Sequence, residues 1–168
     1  MTRVSLVVFI IAVVVILALG IVLFSAYGRT KASEQPIAFS HKVHAGDFKI
    51  ACEYCHSYAR RSTVAGIPSV ARCLGCHKIT ALDKPEVKKL VDYWNRKEAI
   101  PWLKVTRMPD FVYFEHWLHV RAEIACQTCH GPVETMVAAE QVKDLTMADC
   151  LACHREQKAS LDCVVCHR

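Results

Sequence analysis

The ten cysteines of this 168-residue chain are the feature that most limits what it can fold into. All ten fall in C-x-x-C-H motifs: CEYCH (52–56), CLGCH (73–77), CQTCH (126–130), CLACH (150–154) and CVVCH (163–167). In this motif the two thiols bond to the vinyl groups of haem c, and the histidine binds the iron. One copy would also suit a redox dithiol, a disulfide or a zinc site. Five copies that leave no cysteine over predict five covalently bound haem c groups.

Each motif supplies two thioether cysteines and one proximal iron ligand, and we number the motifs sites 1 to 5 in chain order. The predicted attachment residues are Cys52, Cys55, Cys73, Cys76, Cys126, Cys129, Cys150, Cys153, Cys163 and Cys166. The predicted proximal ligands are His56, His77, His130, His154 and His167.

Four further histidines form two pairs, His41/His44 in FSHKVH and His116/His119 in FEHWLH. A lone histidine is more often a surface or core residue, but both pairs follow a phenylalanine at the same offset and precede a haem motif. A second imidazole completes the iron coordination and favours electron transfer. We therefore predict that all four are distal ligands. The two members of a pair serve different haems, because neighbours on one turn cannot both reach one iron.

Five irons need five distal ligands, so the four histidines leave one haem without a partner. That haem either has an open site or takes a methionine, which is the usual substitute. Apart from Met1, the chain has Met108, Met136 and Met147. We predict that Met147 is the fifth distal ligand. It lies three residues before Cys150, and the first half of the chain, which needs no extra ligand, has Val70 rather than a methionine at the matching position. Met136 and then Met108 are the alternatives, and core packing is the other role open to a methionine.

The order of these motifs repeats within the chain. The histidine pairs are offset by 75 residues (116 − 41), and two of the motifs recur at offsets of 74 (126 − 52) and 77 (150 − 73). A fixed offset indicates a repeated structural unit. We predict a first haem module with two haems at 36–78, a helical connector at 79–107 and a second module with three haems at 108–168.

The N-terminal segment has a different character, since residues 4–27 contain no charged side chain. About 20 apolar residues suffice to cross a bilayer core, and this run is longer than the apolar part of a signal peptide. We predict an uncleaved signal anchor at 1–35 with a single transmembrane helix, although FSA at 24–26 leaves cleavage open. Haem c is attached outside the cytoplasmic membrane, so the haem domain is expected on the periplasmic side.

The length of the remaining chain sets the fold class. Some 133 residues (168 − 35) would surround five haems, which is too few for an ordinary apolar core beside each of them. We therefore predict a mostly α and irregular fold with the haems as its core. The net charge of +5 does not indicate nucleic-acid binding, because ten haem propionates would lie against the basic side chains.

The F-x-H-x-x-H pattern ahead of C-x-x-C-H resembles the class III multihaem cytochromes. The segments MPDFVYFEHWLHV, CQTCHGPVETM, LTMADCLACHR and DCVVCHR are similar to the membrane-anchored pentahaem subunit of alternative complex III and to the related subunit of the quinone reductase complex. By this resemblance His41 binds the haem of His56 and His116 binds that of His130. The destinations of His44 and His119 stay open.

The resemblance implies a membrane-bound electron relay within a quinol-oxidising respiratory or photosynthetic complex, which passes electrons to a periplasmic acceptor or an oxidase. The expected partners are an iron–sulfur subunit, a polytopic quinol-binding subunit and monohaem cytochromes. Nucleic acid is not an expected partner. The chain itself would have no catalytic site.

Three other functions are open at this point. A membrane-anchored quinol dehydrogenase of the NapC/NirT type also combines one N-terminal helix with four or five haems, but it needs a quinol pocket near the membrane. A multihaem reductase with an open iron typically has a C-x-x-C-K site, which this sequence lacks. A freestanding periplasmic electron shuttle would not need the predicted anchor.

Overall fold

The computed structural model describes the backbone of residues 3–27 and 35–167, and the side chains of residues 9–22 and 35–167. The chain forms two units, Met1–Lys31 and Ala32–Arg168. The first unit contains one helix, α1 (Arg3–Tyr27). Residues 1–2 and 28–34 of the predicted anchor lie outside the described residues.

The described part of α1 does not support the predicted transmembrane helix. Among the described residues, no helix has both the length and the apolar character that a membrane crossing requires. The prediction of an N-terminal transmembrane helix is therefore wrong for this structure.

The second unit consists of short helices joined by irregular segments, and no strand occurs within residues 35–167. This confirms the mostly α and irregular part of the predicted fold class. Four of its helices have bounds that follow the C-x-x-C-H motifs closely, and a fifth helix contains one of the motifs. The elements are a π-helical turn (Lys42–Asp47), α2 (Cys52–Cys55), α3 (Val70–His77), α4 (Pro85–Arg96), α5 (His116–Arg121), α6 (Cys126–His130), a 3-10 turn (Val133–Thr135), α7 (Met147–Glu156) and α8 (Cys163–Cys166).

Helix α4 lies in the predicted connector and supports the second haem motif. Pro85 occupies its first turn, where a missing N–H costs nothing. Its apolar face buries Leu90 in a cluster with Ile37, Leu74 and Ile100. Because Leu74 lies between the two cysteines of site 2, this packing fixes the helix that presents them.

Residues 35–38 are tied to the connector just before the first histidine pair. The side-chain amide of Gln35 donates to the carbonyl of Leu103 and accepts from its N–H, both at 3.0 Å. The N–H of Ala38 donates to the Glu86 carboxylate at 2.7 Å. The hydrogen bond with Lys89 and this one from Ala38 lower the pKa of Glu86. The approach to His41 is thereby held against the connector.

The two predicted modules meet where the π-helical turn packs on the 3-10 turn. The N–H of Lys42 donates to the carbonyl of Met136 at 2.8 Å, and Met136 is buried. A Cβ on Gly46 would overlap the carbonyl oxygen of Glu134. Glycine at position 46 therefore permits the close approach of the two turns.

The apolar core of the second unit is small. Seven apolar residues are buried among the described residues, and none is completely enclosed. A chain of this length normally buries far more of its surface when it folds. The polypeptide alone thus provides little core, as expected if prosthetic groups supply the rest. The buried residues are Ile37, Ala59, Leu74, Val87, Leu90, Ile100 and Met136.

Candidate haem sites

Each of the four paired histidines faces the histidine of one C-x-x-C-H motif. A metal–imidazole bond is about 2.0 Å and the ring centre lies about 1 Å further, so two imidazoles on one metal have centres roughly 6 Å apart. The separation is 6.5 Å for His41 and His56 and 6.1 Å for His44 and His77. In the second module it is 6.3 Å for His116 and His130 and 6.0 Å for His119 and His154. The donor set therefore fits haem iron at sites 1 to 4.

The ring planes divide these sites into two kinds. They are nearly parallel at site 1, at 9°, and at site 3, at 10°. The angle is 66° at site 2 and 40° at site 4. Since the angle between axial ring planes controls the splitting of the iron d orbitals, sites 1 and 3 should be spectroscopically distinct from sites 2 and 4.

A phenylalanine positions each histidine pair in the same way. Phe39 contacts His41 edge-on at 4.9 Å and stacks on His44 at 4.4 Å. Phe114 contacts His116 edge-on at 4.8 Å and stacks on His119 at 4.4 Å. The aromatic ring thus lies against both imidazoles of its pair, and the arrangement is the same in both halves of the repeat.

Seven of the nine histidines use ring Nδ1 in a hydrogen bond to a backbone carbonyl. Such a bond fixes the tautomer and leaves Nε2 free to bind a metal. The pairs are His44 with Ser40, His56 with Gly66, His77 with Thr80, His116 with Thr63, His119 with Glu115, His154 with Ser160 and His167 with Phe111.

His41 and His130 are the other two histidines, and the buried Nδ1 of His41 has no hydrogen-bond partner among the described residues. Burial lowers the pKa of His41, and the nearby His56 and His44 lower it further. Burial also lowers the pKa of His130, with His116 and His56 adding to the effect. Both imidazoles are therefore kept neutral near pH 7, and the neutral form is the one that binds metals.

The sixth coordination position at site 5 is less completely defined. His167 donates to the carbonyl of Phe111 at 3.1 Å and stacks on its ring at 5.9 Å. Met147, the predicted distal ligand, begins α7 and is 66% exposed. It lies one helical turn from Cys150, and Cys150 interacts electrostatically with Cys166 of site 5. Met147 thus lies on the helix that borders site 5. Its role as the distal ligand of that site stays a prediction.

A capping box fixes the start of α7, and sequence reasoning missed it. The hydroxyl of Thr146 accepts from the N–H of Asp149, while the N–H of Thr146 donates to the Asp149 carboxylate at 2.9 Å. The hydrogen bonds from Thr146 lower the pKa of Asp149. The pattern of Thr and an acidic residue three positions later is the signal that could have revealed it. The box orients Cys150, which follows directly.

The ten cysteines are separate thiols rather than disulfides. Across the described residues, no group of three or more His, Cys, Asp or Glu could hold a bare metal ion. Zinc and disulfide roles are therefore not favoured by the geometry. Burial raises the pKa of several thiols, those of Cys55, Cys73, Cys126, Cys129 and Cys150.

Contacts between motifs place the five sites in one series. Cys55 of site 1 interacts electrostatically with Cys76 of site 2. Cys126 of site 3 lies close to Cys52 of site 1, which contributes to the raised pKa of the Cys126 thiol. Cys129 of site 3 interacts electrostatically with Cys150 and Cys153 of site 4. Cys150 of site 4 interacts in the same way with Cys166 of site 5. These neighbouring cysteines pair site 2 with 1, site 1 with 3, site 3 with 4 and site 4 with 5, which differs from the chain order.

Comparison with known proteins identifies the family. The model of the class III cytochrome C family matches residues 24–101, and that of cytochrome c7 and related cytochrome c matches residues 112–168. The chain belongs to the class III multihaem cytochromes c, which carry covalently bound haem c and transfer electrons. It is 30% identical over 162 residues to the menaquinone reductase multihaem cytochrome c subunit of Nitratidesulfovibrio vulgaris strain Hildenborough. That similarity covers 80% of this chain and 77% of the relative.

The resemblance to class III multihaem cytochromes is thus confirmed, as are haem c and electron transfer. The number of haems, the individual ligands and the likeness to alternative complex III stay predictions. The backbone carbonyls that accept from histidine Nδ1 were not predicted, because a carbonyl leaves no mark on the sequence. The first family match covers the predicted first module and most of the connector, and the second covers the predicted second module from residue 112 onward.

Proposed function

We propose that this chain holds five haem c groups in one series and relays electrons along it within a quinone-linked oxidoreductase complex. The observation that carries this proposal is the facing of four distal and four proximal histidines at 6.0 to 6.5 Å. Haem c supplies one-electron redox chemistry when it is bound. At sites 1 to 4 a second histidine on the iron would leave no position for a substrate, and the chain therefore acts as a conductor rather than a catalyst.

The polypeptide performs three tasks in this relay. The C-x-x-C turns fix each group covalently, and the hydrogen-bonded imidazoles set its orientation. The fold keeps neighbouring sites adjacent, since Cys52 of site 1 and Cys126 of site 3 lie close together. Sites 2 and 5 are then the two ends of the series, where electrons would enter and leave.

The proposed partner subunits are suggested by one relative and by the family resemblance of the sequence. The cytochrome of Nitratidesulfovibrio vulgaris is named as a subunit of a menaquinone reductase. For this chain we propose a complex with an iron–sulfur subunit, a polytopic quinone-binding subunit and monohaem cytochromes. Quinol oxidation toward a periplasmic acceptor or an oxidase, as in alternative complex III, is our first candidate. Menaquinone reduction is the second, and the name of the relative favours it. We place the haem unit on the extracytoplasmic side, where haem c is attached.

Mild purification of the native complex tests this function. We expect the chain to co-purify with an iron–sulfur protein and a polytopic membrane protein. In that complex, its haems should be reduced by a quinol, or oxidised by menaquinone. The matched control is the chain alone, which should exchange electrons with quinones at least ten times more slowly. Equal rates for the lone chain and the complex would overturn the relay and favour a quinol dehydrogenase. A chain recovered free of partners would favour a periplasmic shuttle.

A further inference from the structure

One short segment, residues 62–66, holds histidines of two different sites. The carbonyl of Gly66 accepts a hydrogen bond from Nδ1 of His56 at 2.6 Å. The carbonyl of Thr63 accepts from Nδ1 of His116 at 2.8 Å and from its N–H at 3.3 Å. The carbonyl of Ser62 accepts from the N–H of residue 117 at 3.2 Å. We call residues 62–66 the shared loop.

The two histidines belong to different modules. His56 is the predicted proximal ligand of site 1, and His116 is the predicted distal ligand of site 3. Sites 1 and 3 are adjacent, since His56 is close enough to His130 to lower the pKa of that histidine. At site 1 the distal ligand His41 has no partner for Nδ1 among the described residues. The bond to Gly66 is therefore the hydrogen bond that orients the axial pair of site 1.

The conformation of the shared loop is defined by local contacts. Gly66 has φ +74°, and a Cβ there would lie 3.1 Å from the Tyr58 ring. The N–H of Ser62 donates to the carbonyl of Tyr58 at 2.9 Å, and the guanidinium of Arg61 covers the Tyr58 ring at 4.9 Å. A side chain at position 66 would meet both an unfavourable φ and a packed ring.

We propose that the shared loop is a positioning segment that sets the ligand field of sites 1 and 3 together. A hydrogen bond on Nδ1 fixes the ring and raises its basicity toward the metal. A shift of the loop weakens this bond at both sites, so ferric iron is stabilised less and the reduction potentials rise. This inference rests on the proposed ligation and adds a link between the two modules, at the middle of the series.

The test is Gly66→Ala, with Gly75→Ala as the matched control. The control changes CLGCH at site 2 into CLACH, the natural sequence of site 4, and its Cβ would meet only the Tyr54 hydroxyl at 3.8 Å. We expect Gly66→Ala to keep five haems while two of the five potentials rise. A tenfold change in ligand preference corresponds to about 59 mV for one electron. The control should leave these two potentials unchanged.

Electron paramagnetic resonance identifies the affected sites. The two species with nearly parallel imidazoles, sites 1 and 3, should change in Gly66→Ala, and the other species should not. Gly66→Asn should show a smaller change in the same species, because asparagine tolerates positive φ better. If the Gly66→Ala protein does not assemble, the same measurements are made on Gly66→Asn. Five low-spin haems with unchanged spectra and potentials, or equal shifts at all sites, would overturn the shared loop and leave the proposed function standing. Fewer than five haems in the unaltered protein would instead contradict the proposed function.

Discussion

Replacing His44 by alanine is expected to turn the haem of site 2 high-spin and to leave that of site 1 low-spin. His44 faces His77 at 6.1 Å, whereas His41 faces His56 at 6.5 Å. Alanine cannot bind iron, so one haem of five loses its sixth ligand. All five should stay attached, because the thioether bonds do not involve His44. The measurement is low-temperature electron paramagnetic resonance together with haem quantification.

The matched control for His44→Ala is His41→Ala. It should convert a species with nearly parallel imidazoles, whereas His44→Ala should convert the species whose ring planes differ by 66°. His119→Ala is the repeat counterpart and should act on site 4. If both replacements in the first pair convert the same haem, or if neither changes a spin state, the ligand assignment is wrong.

Replacing Met147 by alanine is expected to produce one high-spin haem, at site 5. Met147 is exposed on the polypeptide and begins the helix whose Cys150 interacts with Cys166. Met147→His should restore the low-spin state and lower the potential of the most oxidising haem, since imidazole favours ferric iron more than a thioether does. Redox titration and electron paramagnetic resonance together check both variants.

Met136→Leu is the control for Met147→Ala, because Met136 is 7% exposed and lies where the two turns meet. A volume-conserving change at a packed site should cost less than about 1.5 kcal/mol and leave all spin states unchanged. Five low-spin haems with unaltered potentials in Met147→Ala would assign Met147 to packing. A new high-spin haem in Met136→Leu would instead assign the ligand to Met136.

The sequence carried most of the local information about the sites. A C-x-x-C turn places two thiols three residues apart on one helical face, so the attachment geometry follows from spacing alone. The repeat showed a phenylalanine at the same offset before each histidine pair, but its contact with both imidazoles was not predicted. The facing of His44 with His77 depends on how residues 35–38 pack on the connector, through Gln35 and Ala38. Such tertiary contacts have no periodic signature in a single sequence.

The N-terminal segment and the spatial arrangement of the sites show where reasoning from residue type is weakest. The apolar run at residues 4–27 indicated a transmembrane helix from hydropathy alone, and the described residues do not support it. The spatial order of the sites could not follow from chain order, because the contact of Cys52 with Cys126 brings together residues far apart in sequence. The shared loop acts through carbonyl groups, which every residue possesses.

The measurement that tests the account most directly is the intact mass of the purified protein, taken with its electron paramagnetic resonance spectrum. We predict a mass that exceeds the polypeptide by five haem groups, and low-spin signals in which at least four haems have two imidazole ligands. We expect at least four such haems because four distal histidines each face a proximal histidine at 6.0 to 6.5 Å. A mass with fewer than five haems, or a high-spin signal from any of sites 1 to 4, would contradict the account.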